Sequence, residues 1–294
     1  MSGIPTNRSN ISLPTEVSQE IIAKMQEGSA VMSLADKITL PGRGLTIPVI
    51  LSDPEASWVD ETDNKPVSKP SLGTKIMRGY TLSVIVPFSN QFRRDNASLY
   101  NEIVNRLPKV LGQKIDYTVF HGTAPGSDFD TFASVTAQSL ASDVYQGLVS
   151  ADTDIALHGG MNSGFVFSAQ GKGILLGATD QNKRPLFVNN VSEGAVPVVL
   201  GVSTKLSKAA FKSGSPSVIG YAGDWTQAKY GIVEDVQIAI SDEATLTYTD
   251  ENEQTVTLNL FQRNMFAVRA EIEFGFRADT SVFNALTATG VPSI

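Results

Sequence analysis

The chain has 294 residues and a mass of 31.4 kDa, is 41% hydrophobic and 18% charged, and is long enough for one large domain or two ordinary ones. It has no cysteine, which excludes disulfides, cysteine-ligated zinc, iron–sulfur clusters and a thiol nucleophile. Its two histidines, His121 and His158, cannot supply a three-histidine metal site within one chain, and a net charge of −7 with a pI near 4.9 argues against a protein that coats nucleic acid through a basic surface, leaving room for a local basic patch.

From Met1 to Thr15 the sequence is small and polar, with Pro5 and Pro14, and is read as an arm. It carries neither the basic start nor the apolar stretch of a signal peptide. No later run of about 18 apolar residues would span a bilayer, so a soluble, cytoplasmic protein without membrane contact is expected. Thr15 then caps a predicted amphipathic helix with Val17, Ile21, Ile22 and Met25 on one face and Gly28 as its stop.

Between residues 40 and 80 the pattern turns strand-like in LTIPVIL, ASWVDE, TKIMRG and YTLSVIVPF, broken by DETDNKPVSKP. This predicts a long two-stranded excursion with a polar tip. A lone ribbon is marginal in water, so it needs a surface to lie on, and another subunit is the nearest candidate.

Tyr100, Ile103, Val104, Leu107, Leu111, Ile115 and Val119 recur at three- and four-residue steps and predict a long helix with one buried face, kinked at Pro108. A second helix is expected over residues 129–148, followed by short apolar pieces and Gly-rich turns as far as Pro216. The last third reads as strands: VIGYAG, GIVEDVQIAIS, ATLTYT, TVTLNLF and FAVRAEIEFGF, with a hairpin turn at DENE. The fold class is α+β.

Chemical motifs are sparse. GKGILLG, residues 171–177, has the wrong glycine spacing for a dinucleotide loop and is read as a structural turn, and no GxxxxGK[ST], HExxH or GxSxG occurs. His121 and His158 have no recognisable nucleophile near them in sequence and are read as polar or capping residues. Asp152 and Asp154, and Asp250, Glu251 and Glu253, lack the glycine and distal glutamate of a calcium loop and are read as solvated turns. Arg93 and Arg94 suit a phosphate or partner carboxylate, or a solvated pair at a helix start; Trp58 is read as a packing residue of the excursion. No catalytic residue, metal or cofactor is assigned.

Taken in order, these pieces resemble the major capsid proteins of tailed bacteriophages with the Hong Kong 97-like fold, from about Leu13 to the C-terminus. LPTEVSQEIIAKMQEGSAVMSLA resembles the N-arm and its helix. PVILSDPEASWVDETDNKPVSKPSLGTKIMRGYTLSVIVPFSNQFRRD is similar to the extended loop, with its A-x-W-V-x-E element, and the entry into the spine helix. LGQKIDYTVFHGTAPG resembles the end of that helix, where an aspartate and a closing glycine recur. DQNKRPLF and VVLGVSTKL look like the axial domain, GYAGDWTQAKYGIVEDVQIAIS like the return into the peripheral domain, and NMFAVRAEIEFGFRADTSVFNALTATG like its final strand and tail.

The resemblance implies an N-terminal arm and helix over 1–39, an extended loop over 40–80, a peripheral domain with spine helix over 81–130 and 225–294, and an axial domain over 131–224. It implies a structural, non-enzymatic capsid protein that self-assembles as pentamers and hexamers into an icosahedral head in the host cytoplasm. Its partners would be portal protein, a separate scaffolding protein, decoration proteins and packaged double-stranded DNA bound without sequence specificity. Trp58, Asp60, Glu61, Asp63, Lys65, Lys69, Arg93 and Arg94 are the expected intersubunit contacts. Some relatives join a loop lysine to a neighbour's asparagine; Lys65, Lys69 and Lys75, and Asn259, Asn264 and Asn284, lie in the matching regions. The acids at the tip favour a charged lysine, so noncovalent contacts are expected. The alternatives are an encapsulin-type compartment shell and, from another class, an enzyme with a site around His158 and the nearby acids.

Overall fold

The computed structural model describes residues 28–52, 58–59, 64–65, 67, 71–95, 97–180, 182–187, 198–249 and 253–291, and of 48–52, 71–72 and 97–103 the backbone alone. Of the helix expected from Thr15 to its stop at Gly28, residues 15–27 therefore lie outside the described residues. In chain order the elements are α1 (Ala30–Leu34), β1 (Asp36–Thr39), β2 (Leu45–Ser52), β3 (Ser71–Met77), β4 (Tyr80–Ser89), α2 (Asn90–Asp95), α3 (Ala97–His121), β5 (Thr136–Ser139), α4 (Val144–Leu157), β6 (Gly164–Phe167), α5 (Ala169–Gly177), β7 (Val198–Val199), β8 (Val202–Leu206), β9 (Ser217–Gly223), β10 (Ala228–Ser241), β11 (Thr245–Thr249), β12 (Thr255–Asn259), β13 (Met265–Ala278) and β14 (Phe283–Ala288).

Four strands, β1-β10-β13-β4, form one sheet, and six, β5-β14-β9-β6-β8-β7, form another; β2 with β3 and β11 with β12 are separate two-stranded ribbons. In the first sheet β13 pairs antiparallel with β4 from Met265↔Ser89 to Phe274↔Tyr80, and with β10 from Ala228↔Ala278 to Ser241↔Ala267. The 25-residue α3 lies against β4 and β13, whereas α4 packs on β5, β9 and β14. Both sheets contribute to one continuous hydrophobic cluster.

The α3 periodicity is reproduced: Leu107, Leu111, Ile115 and Val119 are all buried. The helix continues through Pro108 as one element, and Gly122 ends it, its N–H donating to Tyr117 O at 2.9 Å. A Cβ on Gly122 would stand 2.7 Å from Thr118 Cα, so only glycine fits this close.

Two elements differ from expectation. Residues 129–148 are not one helix: Phe129 and Phe132, spaced like helix neighbours, sit in a turn because tertiary packing claims both rings. Phe132 stacks on Phe283 at 4.3 Å, and Phe129 meets Phe276 at 6.0 Å. The helix starts later, where Asp143 caps it by accepting from Gln146 N at 3.0 Å, and Asp152 and Asp154 lie inside it rather than in a turn. GKGILLG is likewise helical, within α5, capped by the Ser168 side chain. Its Gly171 serves close packing, since a Cβ there would come 2.6 Å from the Ile219 carbonyl oxygen on β9. The C-terminal strand β14 pairs with β5 and β9 of the six-stranded sheet.

A buried carboxylate ties three segments together. Asp116, fully buried on α3, accepts from Ser29 Oγ at 2.5 Å, Ala30 N at 2.9 Å, Val31 N at 3.1 Å and Ser207 Oγ at 2.7 Å. Burial pushes its carboxyl up, against those four hydrogen bonds, which hold it down. Replacing Asp116 with Ala strands four donors, so unfolding should move to lower temperature by on the order of 10 °C, about 3 kcal/mol or more, with Asp116→Asn intermediate. Calorimetry checks this, and an unchanged transition in Asp116→Ala would show that the cluster holds nothing.

Candidate functional site

The β2–β3 ribbon is the element that cannot complete its own packing. Leu45 pairs with Met77 at its base and Ser52 with Ser71 at its far end, so the ribbon is eight residues, about 26 Å, long. Beyond it, Trp58 and Val67 are fully or almost fully exposed, at 104% and 85%, and Ile76 at the base is half-exposed. A tryptophan in water is the opposite of what a folded chain does with its largest apolar side chain.

A charged knot fixes the ribbon's base. Arg277, near the end of β13, donates from Nε to Ile76 O at 2.7 Å and from Nη1 to Asp130 Oδ1 at 2.8 Å, with Nη2 3.5 Å from Asp128 Oδ1. Lys75 donates to Ala278 O at 2.9 Å and lies 3.8 Å from Asp130, while Arg78 pairs with Asp128 at 3.4 Å. The planar guanidinium reaches both carboxylates and a strand carbonyl at once, which a lysine cannot do. Arg277→Met should leave the sheet folded but loosen the ribbon. Hydrogen exchange at residues 71–77 is expected to speed up roughly tenfold or more while residues 265–274 keep their protection; equal change in both strands would contradict an anchoring role.

Between the C-terminal half of α3 and β4 lies a cleft of about 430 Å³, walled by Tyr80, Leu82, Tyr117, Phe129 and Phe274, with Lys114 on its lining. His121, on the same lining, is 8% exposed. Its Nδ1 lies 3.4 Å from Tyr221 Oη, and Tyr221 donates its own proton to Phe120 O at 2.8 Å. The Nδ1–H must therefore be the donor in that contact, leaving Nε2 as an acceptor, and Nε2 has no partner among the described residues. Burial, with the Lys212 charge adding to it, pushes His121 down to about 4, so the ring is neutral near pH 7. Unfolding restores a pKa near 6.5, so between the two values the unfolded chain binds more protons. Stability from this group is thus complete above about pH 6.5 and falls as pH drops toward 4, by up to about 3 kcal/mol. Denaturant titrations should show that slope, reduced in His121→Leu; the same slope in both would exclude His121 as its source.

Of the residues expected at contacts, Trp58 and Lys65 are exposed, and Asp60, Glu61, Asp63 and Lys69 lie outside the described residues. Arg93 sits over the Phe266 ring at 5.3 Å, and Arg94 pairs with Asp95 at 2.8 Å in an exposed bridge of small energetic weight. Among the asparagines, Asn284 is fully buried and donates to Ala151 O at 3.1 Å, Asn264 accepts from Asn90, and Asn259 caps the turn at Gln262. His158 caps α4, its Nδ1 2.8 Å from Asp154 O. The described residues contain no group of three or more acidic or histidine side chains placed to hold a metal, and no helix long and apolar enough to cross a membrane. Sequence reasoning missed the Asp128–Asp130–Arg277 knot and the cleft, because their members are scattered along the chain. Asp116 alone carried a local signal, a carboxylate beside the buried positions Ile115 and Val119.

Two folded sheets bridged by a spine helix, with apolar residues carried outward on an anchored ribbon, define a protein built to be completed by copies of itself. The phage capsid family model matches residues 10–281, and the chain belongs to that family. It is 27% identical over 291 residues to a probable major capsid protein of Mycobacterium phage D29, covering 94% of this chain and 89% of the relative. Among solved structures, a chain from Mycobacterium phage Cain superposes with a TM-score of 0.71 at 20% identity, covering 90% and 92% of the two chains. A chain from the capsid of a native GTA particle does so with a TM-score of 0.64 at 12% identity, covering 98% and 95%. The protein is a structural capsid shell protein of phage type with the Hong Kong 97-like fold.

Proposed function

We propose that the chain forms pentamers and hexamers and closes an icosahedral head around double-stranded DNA, in a role that involves no catalytic step. The anchored ribbon with its exposed Trp58 carries this reading, because burying it requires a neighbour. In this reading the spine helix and the β1-β10-β13-β4 sheet make the peripheral domain and the six-stranded sheet, with β14, the axial domain. An acidic chain of charge −7 suits a container that should not grip its DNA. Assembly in the host cytoplasm, with portal, separate scaffolding and decoration proteins, belongs to the same proposal. The matches to phage capsid proteins favour a genome container over an encapsulin-type compartment.

The test is to express the full chain and a variant with residues 53–70 replaced by Asn-Gly, a turn that keeps the Ser52↔Ser71 register. The full chain should give shells or capsomers in electron microscopy, which boiled on a denaturing gel run as one band near 31.4 kDa, as noncovalent contacts require. The variant should unfold cooperatively yet form no shells. A strictly monomeric full chain, or normal shells from the variant, would overturn the reading.

A further inference from the structure

Beside the cleft along α3 lies an acceptor without a donor among the described residues, and beyond the ribbon a donor that only water meets. His121 is on the lining of this aromatic-walled space, and its Nε2 is buried and unpaired among the described residues. An unsatisfied buried acceptor costs free energy that a donor entering the cleft would recover. Among the described residues Trp58 is the largest apolar side chain left in water, and its indole N–H is a donor only. The cleft's volume lies within the ~300–1,000 Å³ of pockets that bury one sizeable group.

We propose that the indole of Trp58 from a second copy of this chain seats in the cleft and donates its N–H to His121 Nε2. The inference rests on the shell reading and names the receptor that the ribbon uses within it. Charge supports the pairing. In sequence, Trp58 is flanked by Asp53, Glu55, Asp60, Glu61 and Asp63, with no lysine or arginine between residues 53 and 63. The cleft is lined by Lys114, and the charge of Lys212 acts on His121 beside it. The acidic stretch around Trp58 and the Lys114 and Lys212 charges attract on approach. The chain's own Trp58 does not fill the site, since it is fully exposed. The cleft's Tyr80 and Thr81 follow directly after the ribbon's base, whereas Trp58 lies six residues beyond the end of β2.

Fluorescence gives the first test. The chain has two tryptophans, and Trp225 is already buried, so any change on assembly reports Trp58. Emission should shift to the blue and resist acrylamide in shells compared with dissociated subunits, and Trp58→Phe should abolish that difference. Trp58→Ala should raise the concentration needed for assembly roughly tenfold or more, as loss of a buried aromatic anchor does. The effects of Trp58→Phe and His121→Leu on that concentration should be less than additive, because both remove the same hydrogen bond. The absence of cysteine allows a geometric check: Val59→Cys in one batch and Thr118→Cys in another, co-assembled and oxidised, should yield a disulfide-linked dimer on a non-reducing gel. Shells in which Trp58 stays fully quenchable, or in which no mixed disulfide forms, would overturn the proposal while leaving the shell reading intact. Wild-type protein that forms no shell overturns both.

Discussion

The position of the spine helix is fixed by one buried carboxylate, Asp116, and much of the molecule follows from where that carboxylate sits. Taking a charge out of water is costly, and the cost is met here by four donors from two distant segments, residues 29–31 and Ser207. Because those donors include two backbone N–H groups, the segment entering β1 is held in one conformation as well as one place. One turn later on α3, Phe120 stacks on Tyr221 at 4.8 Å and meets Trp225 edge-on at 6.5 Å. The six-stranded sheet is thereby locked to the helix whose other side lies on the four-stranded sheet.

The same helix then sets the cleft. With Val119 and Phe120 directed into the core, His121 is the last helical residue, held by Tyr221 on one ring nitrogen and, among the described residues, without a partner on the other. The next residues, Gly122 to Asp130, carry Asp128 and Asp130 to the foot of the ribbon. The two carboxylates that anchor the ribbon are thus delivered by the segment that closes the spine, and strain or slippage of α3 would reach both the cleft and the knot.

What could be read from the sequence is what local periodicity encodes. Leu107, Leu111, Ile115 and Val119 announce a helix, the alternation from Tyr80 to Phe88 announces a half-buried strand, and the polar break at DENE announces the β11–β12 hairpin. The order of these pieces was enough to suggest the family. Periodicity failed where tertiary packing overrode it: Phe129 and Phe132 mimic a helical pair but serve an aromatic cluster, and Gly171 mimics a turn but permits a helix to touch a strand. The knot and the cleft were illegible for a different reason. Arg277 and Asp130 are 147 residues apart, and no window along the chain contains both.

Anchoring and exposure at opposite ends of the ribbon are two parts of one energetic arrangement. Association has to offset the ordering of whatever segment it immobilises, and a freely moving hairpin would consume much of the gain from burying its tip. By fixing the base through Arg277, Asp128, Asp130, Lys75 and Arg78, the fold orders that end before any neighbour arrives. Those charges lie at the body, where one guanidinium reaches two partly buried carboxylates, while the exposed Trp58 is carried beyond the far end. A ribbon carrying its large aromatic side chain at the root would bury it on its own sheet. Its placement of polar and apolar residues is what makes the protein a subunit.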